Sequence, residues 1–187
     1  MIIYIFGKSG SGKSYLAERL EEKLPNAVHL NMDEVNSEIM NLATIKDFAV
    51  EIFGKNVLVN NQLDKKYILN TIKDDEFTYL KWSTYMLMQC EEFVKSFIKN
   101  SSKDYYIIDH LNAGKLLLEG DKELYVECVE DDETRLARLQ SRDNITKDVF
   151  EYRDRKYMPH EYDIRYANNF EEVLEFINKN STSKTCE

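Results

Sequence analysis

The chain has 187 residues, 43% hydrophobic and 32% charged, the balance of an ordinary globular α/β domain with room for a small insert. Twenty-five basic residues against thirty-four acidic ones leave a formal net charge of −9, which argues against a general nucleic-acid or anionic-membrane binder, since phosphate is attracted only to a locally positive pocket. No apolar run approaches the roughly 18 residues of a membrane span, Met1–Phe6 is too short for a signal peptide, and Cys90, Cys128 and Cys186 read as free thiols, so a cytoplasmic protein is expected.

Ile2–Phe6 is a continuous apolar run, as in a strand buried on both faces of a parallel sheet. Gly7 to Gly12 interrupt it, and Leu16, Leu20 and Leu24 then keep helical spacing until Pro25 stops the helix. Val28–Asn31 predicts a second strand. Asp33 opens a helical stretch, and Thr44-Ile-Lys-Asp47 carries the pattern of a capping box for a helix ending near Gly54. Phe77, Leu80, Thr84, Leu87, Val94 and Ile98 predict one long helix from Asp75 to about Lys99, with Trp82 and its neighbouring tyrosines as core. Tyr105–Asp109 and Leu124–Val129 predict strands, Asp131–Arg142 a helix with Leu136 and Leu139 on one side, and Ile164–Ala167 a last strand. Asn169-Phe-Glu-Glu172 caps a final helix, and Ser181–Glu187 reads as a frayed tail. Strands separated by helices predict a parallel sheet with right-handed crossovers. The chain therefore reads as one domain over 1–187, with a helical insert at 33–100 and a lid region at 131–158.

Gly7-Lys8-Ser9-Gly10-Ser11-Gly12-Lys13-Ser14 matches G-x-x-x-x-G-K-[ST] between a predicted strand and a predicted helix. Glycines leave backbone N–H groups free to wrap phosphate oxygens, and the helix turns its positive end to the same place. Lys13 can reach β- and γ-phosphates of ATP, and Ser14 can ligate Mg2+. The bland alternative is a glycine turn that matches by accident. Asp33 follows the second strand, where it could accept a proton from an acceptor hydroxyl, hold Mg2+ through water, or simply cap a helix. Asp109 ends the third strand, where it could serve Mg2+ or start a turn, and His110 beside it reads as solvated. Arg135, Arg138 and Arg142 recur at i, i+3 and i+7. Pairing with Asp131, Asp132 or Glu133 accounts for Arg135, whereas phosphate suits the forked geometry of Arg142 and Arg138. Arg153 and Arg155 are weaker candidates.

With these residues in view, the sequence resembles the dephospho-coenzyme A kinase family. The resemblance rests on the P-loop, on Asn31-Met32-Asp33, on Phe53-Gly54 and Leu63-Asp64-Lys65-Lys66-Tyr67-Ile68, on Glu133-Thr134-Arg135-Leu136 with Arg138 and Arg142–Thr146, and on Tyr162-Asp163 with Asn168-Asn169. It implies a five-stranded parallel sheet flanked by helices, of the P-loop NTPase, nucleotide-kinase type, with a helical acceptor-binding subdomain and a mobile lid. It implies transfer of the γ-phosphate of ATP to a ribose 3′-hydroxyl, with Asp33 as base, Arg142 on the donor phosphates and Asn168 in the nucleotide site. The partners expected are ATP with Mg2+ and a nucleotide-like small molecule, and neither nucleic acid nor membrane. A nucleoside or nucleoside monophosphate kinase of the same fold, and a non-catalytic ATP-binding regulator, are the rival readings.

Overall fold

Strand β1 (Ile2–Phe6) is buried at every residue, because it lies in the middle of the sheet with an element against each face. In the computed structural model, which describes residues 1–73, 75–118, 120 and 122–181, β1 is followed by α1 (Lys13–Lys23) and β2 (Ala27–Asn31). The helices α2 (Met32–Ile39) and α3 (Ala43–Phe53) come next, then β3 (Leu58–Val59), β4 (Gln62–Leu63), α4 (Lys65–Ile72) and the long α5 (Glu76–Asn100). The chain returns through β5 (Tyr105–Asp109), β6 (Glu123–Cys128), α6 (Asp132–Asp143), α7 (Lys147–Asp154), β7 (Ile164–Tyr166) and α8 (Phe170–Ser181).

Five strands form one sheet in the order β2-β5-β1-β6-β7, and every pairing in it is parallel. The predicted parallel sheet is therefore present. Ile3 pairs with Ile107 and Ile5 with Asp109, so these residues share one face. That face packs on Leu16, Ala17 and Leu20 of α1 and on Val173 and Ile177 of α8. All five strands run the same way, so the C-terminal ends of β1, β2 and β5 lie along one edge, where open α/β sheets bind ligands.

The chain divides into two compact units, one of Met1–Asn31 with Ser101–Glu187 and the other of Met32–Asn100. The second is helical, with a small antiparallel hairpin of β3 and β4 that periodicity did not predict. Asn60 and Asn61 turn that hairpin with φ of 50° and 62°, the left-handed pair that asparagine tolerates in a two-residue turn. Its core is apolar, with Trp82 in edge contact with Phe53 at 5.3 Å between ring centroids, as the core reading of Trp82 anticipates.

Three local expectations are corrected. Helix α3 starts at Ala43 with Leu42 in the capping position and no side-chain cap, so the Thr44–Asp47 box is not used. The buried stripe of α5 is Trp82, Met86, Cys90 and Val94 at strict i+4 spacing, whereas Phe77 is 77% exposed. Asp33 lies in the first turn of α2 behind Met32, so it does not cap that helix but adds negative charge at its positive end. Cys90 and Cys128 are buried and unpaired, while Cys186 and the rest of the predicted tail, 182–187, lie outside the described residues.

Candidate functional site

The loop between β1 and α1 is shaped by close backbone approach. A Cβ on Gly7, whose φ is 142°, would stand 2.3 Å from the Cys128 carbonyl oxygen; one on Gly10, at φ 81°, would stand 3.0 Å from the Arg135 carbonyl oxygen. Only glycine fits both the dihedrals and the space. Helix α1 opens at Lys13 with no acidic residue in its first turn, which leaves its unpaired N–H groups and positive dipole end available to an anion. Within the loop, Ser11 N–H and Lys13 Nζ both donate to the Lys8 carbonyl, each at 3.2 Å.

Asp109, at the end of β5, is 3% exposed. His29 on β2 lies one register step back on the same sheet face, since Asn31 pairs with Asp109 and His29 with Ile107. His29 Nε2 stands 3.5 Å from Asp109 Oδ2, a long ion-pair contact, and neither buried atom has a well-formed hydrogen bond. Burial alone would raise the Asp109 pKa, but contacts with His29 and Ser14 and the charges of His29 and Lys13 outweigh it and hold the carboxyl below its ordinary value. Burial would likewise lower the His29 pKa, and the Asp109 contact, helped by Glu21 and Glu18, raises it instead. Asp109 is thus ionised at neutral pH, beside the P-loop serine and lysine, with one oxygen poorly satisfied. Sequence reasoning passed over His29. A polar residue between Val28 and Leu30 in an otherwise apolar strand was the available signal.

The three arginines of α6 do three different things. Arg135 has no exposure and, with Leu139, is one of the two buried residues of α6, so it does not lie on the solvent side of the helix. Its pairing with Asp132 at 3.0 Å is present, but its guanidinium also holds the Ser9 carbonyl at 3.0 Å and both carboxylate oxygens of Asp154. Arg138 donates to the Gly10 carbonyl at 3.1 Å and to Glu130 at 2.8 Å. Arg142 is 70% exposed and forks onto Asp143 at 2.7 and 2.9 Å, an aspartate also held by Arg153 at 3.2 Å.

The remaining predicted residues are scattered in character. Asn168 is exposed in the turn after β7 with φ 65°, two residues past Tyr166, whose ring edge would be 3.9 Å from a Cβ on Gly12. Asp33 is exposed and two residues past the end of β2. His110 accepts from Asn112 N–H at 3.3 Å. Among the described residues the buried polar or charged side chains are Ser11, Asp109 and Arg135. All three belong to the P-loop or contact it, and burial of this kind concentrates where a site is built. No helix among the described residues is long and apolar enough to cross a membrane.

A phosphate loop between the first strand and helix of a parallel sheet, with a carboxylate at the end of a neighbouring strand, defines a P-loop NTPase fold. The chain belongs to the AAA domain family, which it matches over residues 3–159. No curated protein sequence matches it. Among solved structures, it is similar to TT1252 from Thermus thermophilus, with a TM-score of 0.78 at 16% identity, covering 96% of this chain and 97% of that one. A sugar kinase from Janibacter sp. gives 0.53 at 13% identity over 95% and 92% of the two chains. A putative kinase from Chloroflexus aurantiacus gives 0.51 at 11% over 96% and 94%. At these identities the likeness is one of fold.

Proposed function

We propose that the protein is an ATP-dependent small-molecule kinase. The observation that carries this is the buried, ionised Asp109 beside Ser14 and Lys13 at the mouth of the P-loop. A bare phosphate-binding turn would not justify the cost of burying that charge. The shared fold with proteins described as a sugar kinase and a putative kinase supports the same reading.

The residues that fit Mg2+ are the Ser14 hydroxyl and the Asp109 carboxylate, whose Oδ2 lacks a well-formed hydrogen bond. When bound, that ion supplies charge neutralisation on the transferred phosphoryl group. Lys13 swings from the Lys8 carbonyl to the β- and γ-phosphates, and the loop amides of Gly7–Gly12 cradle them. Asp33 is assigned as the base from its place just beyond the end of β2. It takes the acceptor hydroxyl proton as the oxygen bonds to the γ-phosphorus and the bond to the β-phosphate oxygen breaks, releasing ADP. Arg142, aided by Arg138, neutralises charge on the donor phosphates, and Asn168 lies at the nucleotide rim. The helical unit, 32–100, is assigned the acceptor.

The acceptor favoured here is dephospho-coenzyme A. Lys46, Lys55, Lys65, Lys66, Lys73 and Lys81 of the helical unit are exposed or half-buried cations that suit a phosphate-bearing nucleotide. The experiment is a phosphoryl-transfer assay offering dephospho-coenzyme A, adenosine, nucleoside monophosphates and simple sugars. The expected outcome is the highest kcat/KM with dephospho-coenzyme A. Preference for a nucleoside or its monophosphate keeps the kinase and discards this acceptor. ATP binding with no transfer to any acceptor points to a nucleotide-binding regulator.

A further inference from the structure

Arg135 is a charge with no exposure, and its Nε has no hydrogen-bond partner. Burying a guanidinium costs free energy unless its donors are matched, and replacing such a group by apolar side chains is often neutral for stability. Its place therefore asks for a role beyond cohesion. The guanidinium lies 4.7 Å from the centre of the Phe150 ring on α7. From that position Nη1 reaches the Ser9 carbonyl at 3.0 Å and Asp154 Oδ1 at 2.9 Å, while Nη2 reaches Asp132 at 3.0 Å and Asp154 Oδ2. Asp154 also receives Lys8 Nζ at 3.2 Å. Three consecutive P-loop residues, Lys8, Ser9 and Gly10, are thus each held by α6 or by the end of α7.

The consequence follows from peptide planarity. In a trans peptide, the C=O of one residue and the N–H of the next point in opposite directions, and the chain has no cis bonds among its described residues. Fixing the Ser9 carbonyl toward Arg135 turns the Gly10 N–H away from it, on the side left to an anion. Asp154 in turn fixes the Arg135 fork, because a planar guanidinium and a carboxylate lock each other's orientation as a monodentate amine cannot.

We propose that Arg135 and Asp154 are positioning residues that preset the P-loop amides for phosphate and tie α7 to that loop. The pair touches no phosphate itself. The inference rests on the P-loop being a nucleotide phosphate site, and it adds that the loop's affinity is set by side chains about 125 to 145 positions away in sequence, as the Ser9 contacts through Arg135 to Asp154 indicate.

The test uses two substitutions that conserve charge, Arg135→Lys and Asp154→Glu, so that any effect on an anionic ligand is geometric. ATP affinity is measured by calorimetric titration with magnesium present, hydrogen exchange of the 9–12 amides is followed in the nucleotide-free protein, and melting temperature is recorded alongside. Expected are an ATP Kd raised about tenfold in each variant, faster exchange in the loop, and no larger loss in the double variant than in the worse single one, since both act through one contact. A variant that melts earlier yet binds ATP with unchanged or smaller Kd, and keeps slow loop exchange, overturns the proposal and leaves Arg135 a packing residue. If one variant fails to fold, the other still decides. Should wild-type protein bind no ATP, the proposed function fails, while the exchange comparison still reads whether the clasp orders the loop.

Discussion

The two units of the molecule treat charge in opposite ways. In the sheet unit Asp109 and Arg135 are buried, and each is held by partners from several separate elements. In the helical unit, 32–100, no charged side chain is buried among the described residues, and the Cys90 thiol, which donates to Asn36 at 3.2 Å, is a buried polar contact. Lys81 meets Glu51 at 3.3 Å and Lys65 donates to Ser37 at 3.0 Å, both among exposed or half-exposed groups. Surface pairs of this kind contribute about 0 to 1 kcal/mol and are easily exchanged, whereas a buried charge has one tolerated arrangement. A fixed arrangement suits a ligand of fixed shape and charge, whereas a surface of exchangeable pairs can be re-arranged at little cost. Under the proposed function, that difference would separate a committed donor side from an uncommitted acceptor side.

The sharpest way to break that contrast is to remove charge from the committed side. Lys13→Met should lower phosphoryl transfer by roughly 10²- to 10³-fold, the range found for a single transition-state contact. The melting temperature of the nucleotide-free protein should change little, because Lys13 is part-buried in a loop at the start of α1, where its Nζ donates to the Lys8 carbonyl of the same loop at 3.2 Å. Turnover at the wild-type rate in this variant would refute the P-loop as the donor site.

On the other side, Asp33 is the one residue of the helical unit to which chemistry is assigned. Asp33→Asn keeps shape and removes the proton acceptor, and turnover should drop about 10²-fold with ATP Kd unchanged. Helix α2 retains Glu34 in its first turn, so its dipole remains partly matched. Collapse of ATP affinity instead would mean that Asp33 serves the donor side, and the division between the units would lose its chemical content.

Legibility in the sequence follows the same division. The sheet was readable because an apolar run, a glycine loop and an amphipathic helix each have their own period, and each formed where its pattern stood. Gly7 to Ser14 and Asp109 were readable because backbone geometry and strand ends dictate residue type locally. His29 and Arg135 were not, since what matters for them is a partner far along the chain: Asp109 in one case, Ser9 and Asp154 in the other. A helical wheel puts arginine outside. The loop packed against α6 and the aspartate at the end of α7, together with Asp132, make a buried guanidinium tolerable. The α5 stripe failed for a related reason, because Phe77 and Leu80 continue the apolar spacing but remain exposed, and the helix buries its Trp82–Val94 line instead.

The smallest expected effect concerns Arg142, which by exposure resembles the helical unit's surface charges although it sits on α6. Its fork onto Asp143, helped by Arg153, lowers the Asp143 pKa from 3.8 to about 2. A carboxylate with a depressed folded value contributes stability that is present above 3.8 and is lost as pH falls through about 2. The pair is exposed enough that solvent screens it, so the signal to read is the titration and not the melting point. Followed by carboxyl-carbon NMR between pH 5 and 3, Asp143 should barely titrate in the nucleotide-free protein. In Arg142→Ala the curve should move up toward the ordinary range, with Arg153 retaining part of the shift. Adding ATP and magnesium to the wild-type protein should move it the same way, because a guanidinium that turns to phosphate leaves Asp143 behind. If the nucleotide leaves the Asp143 titration where it was, Arg142 keeps its surface partner and the donor charge is carried by Lys13 and Arg138 alone.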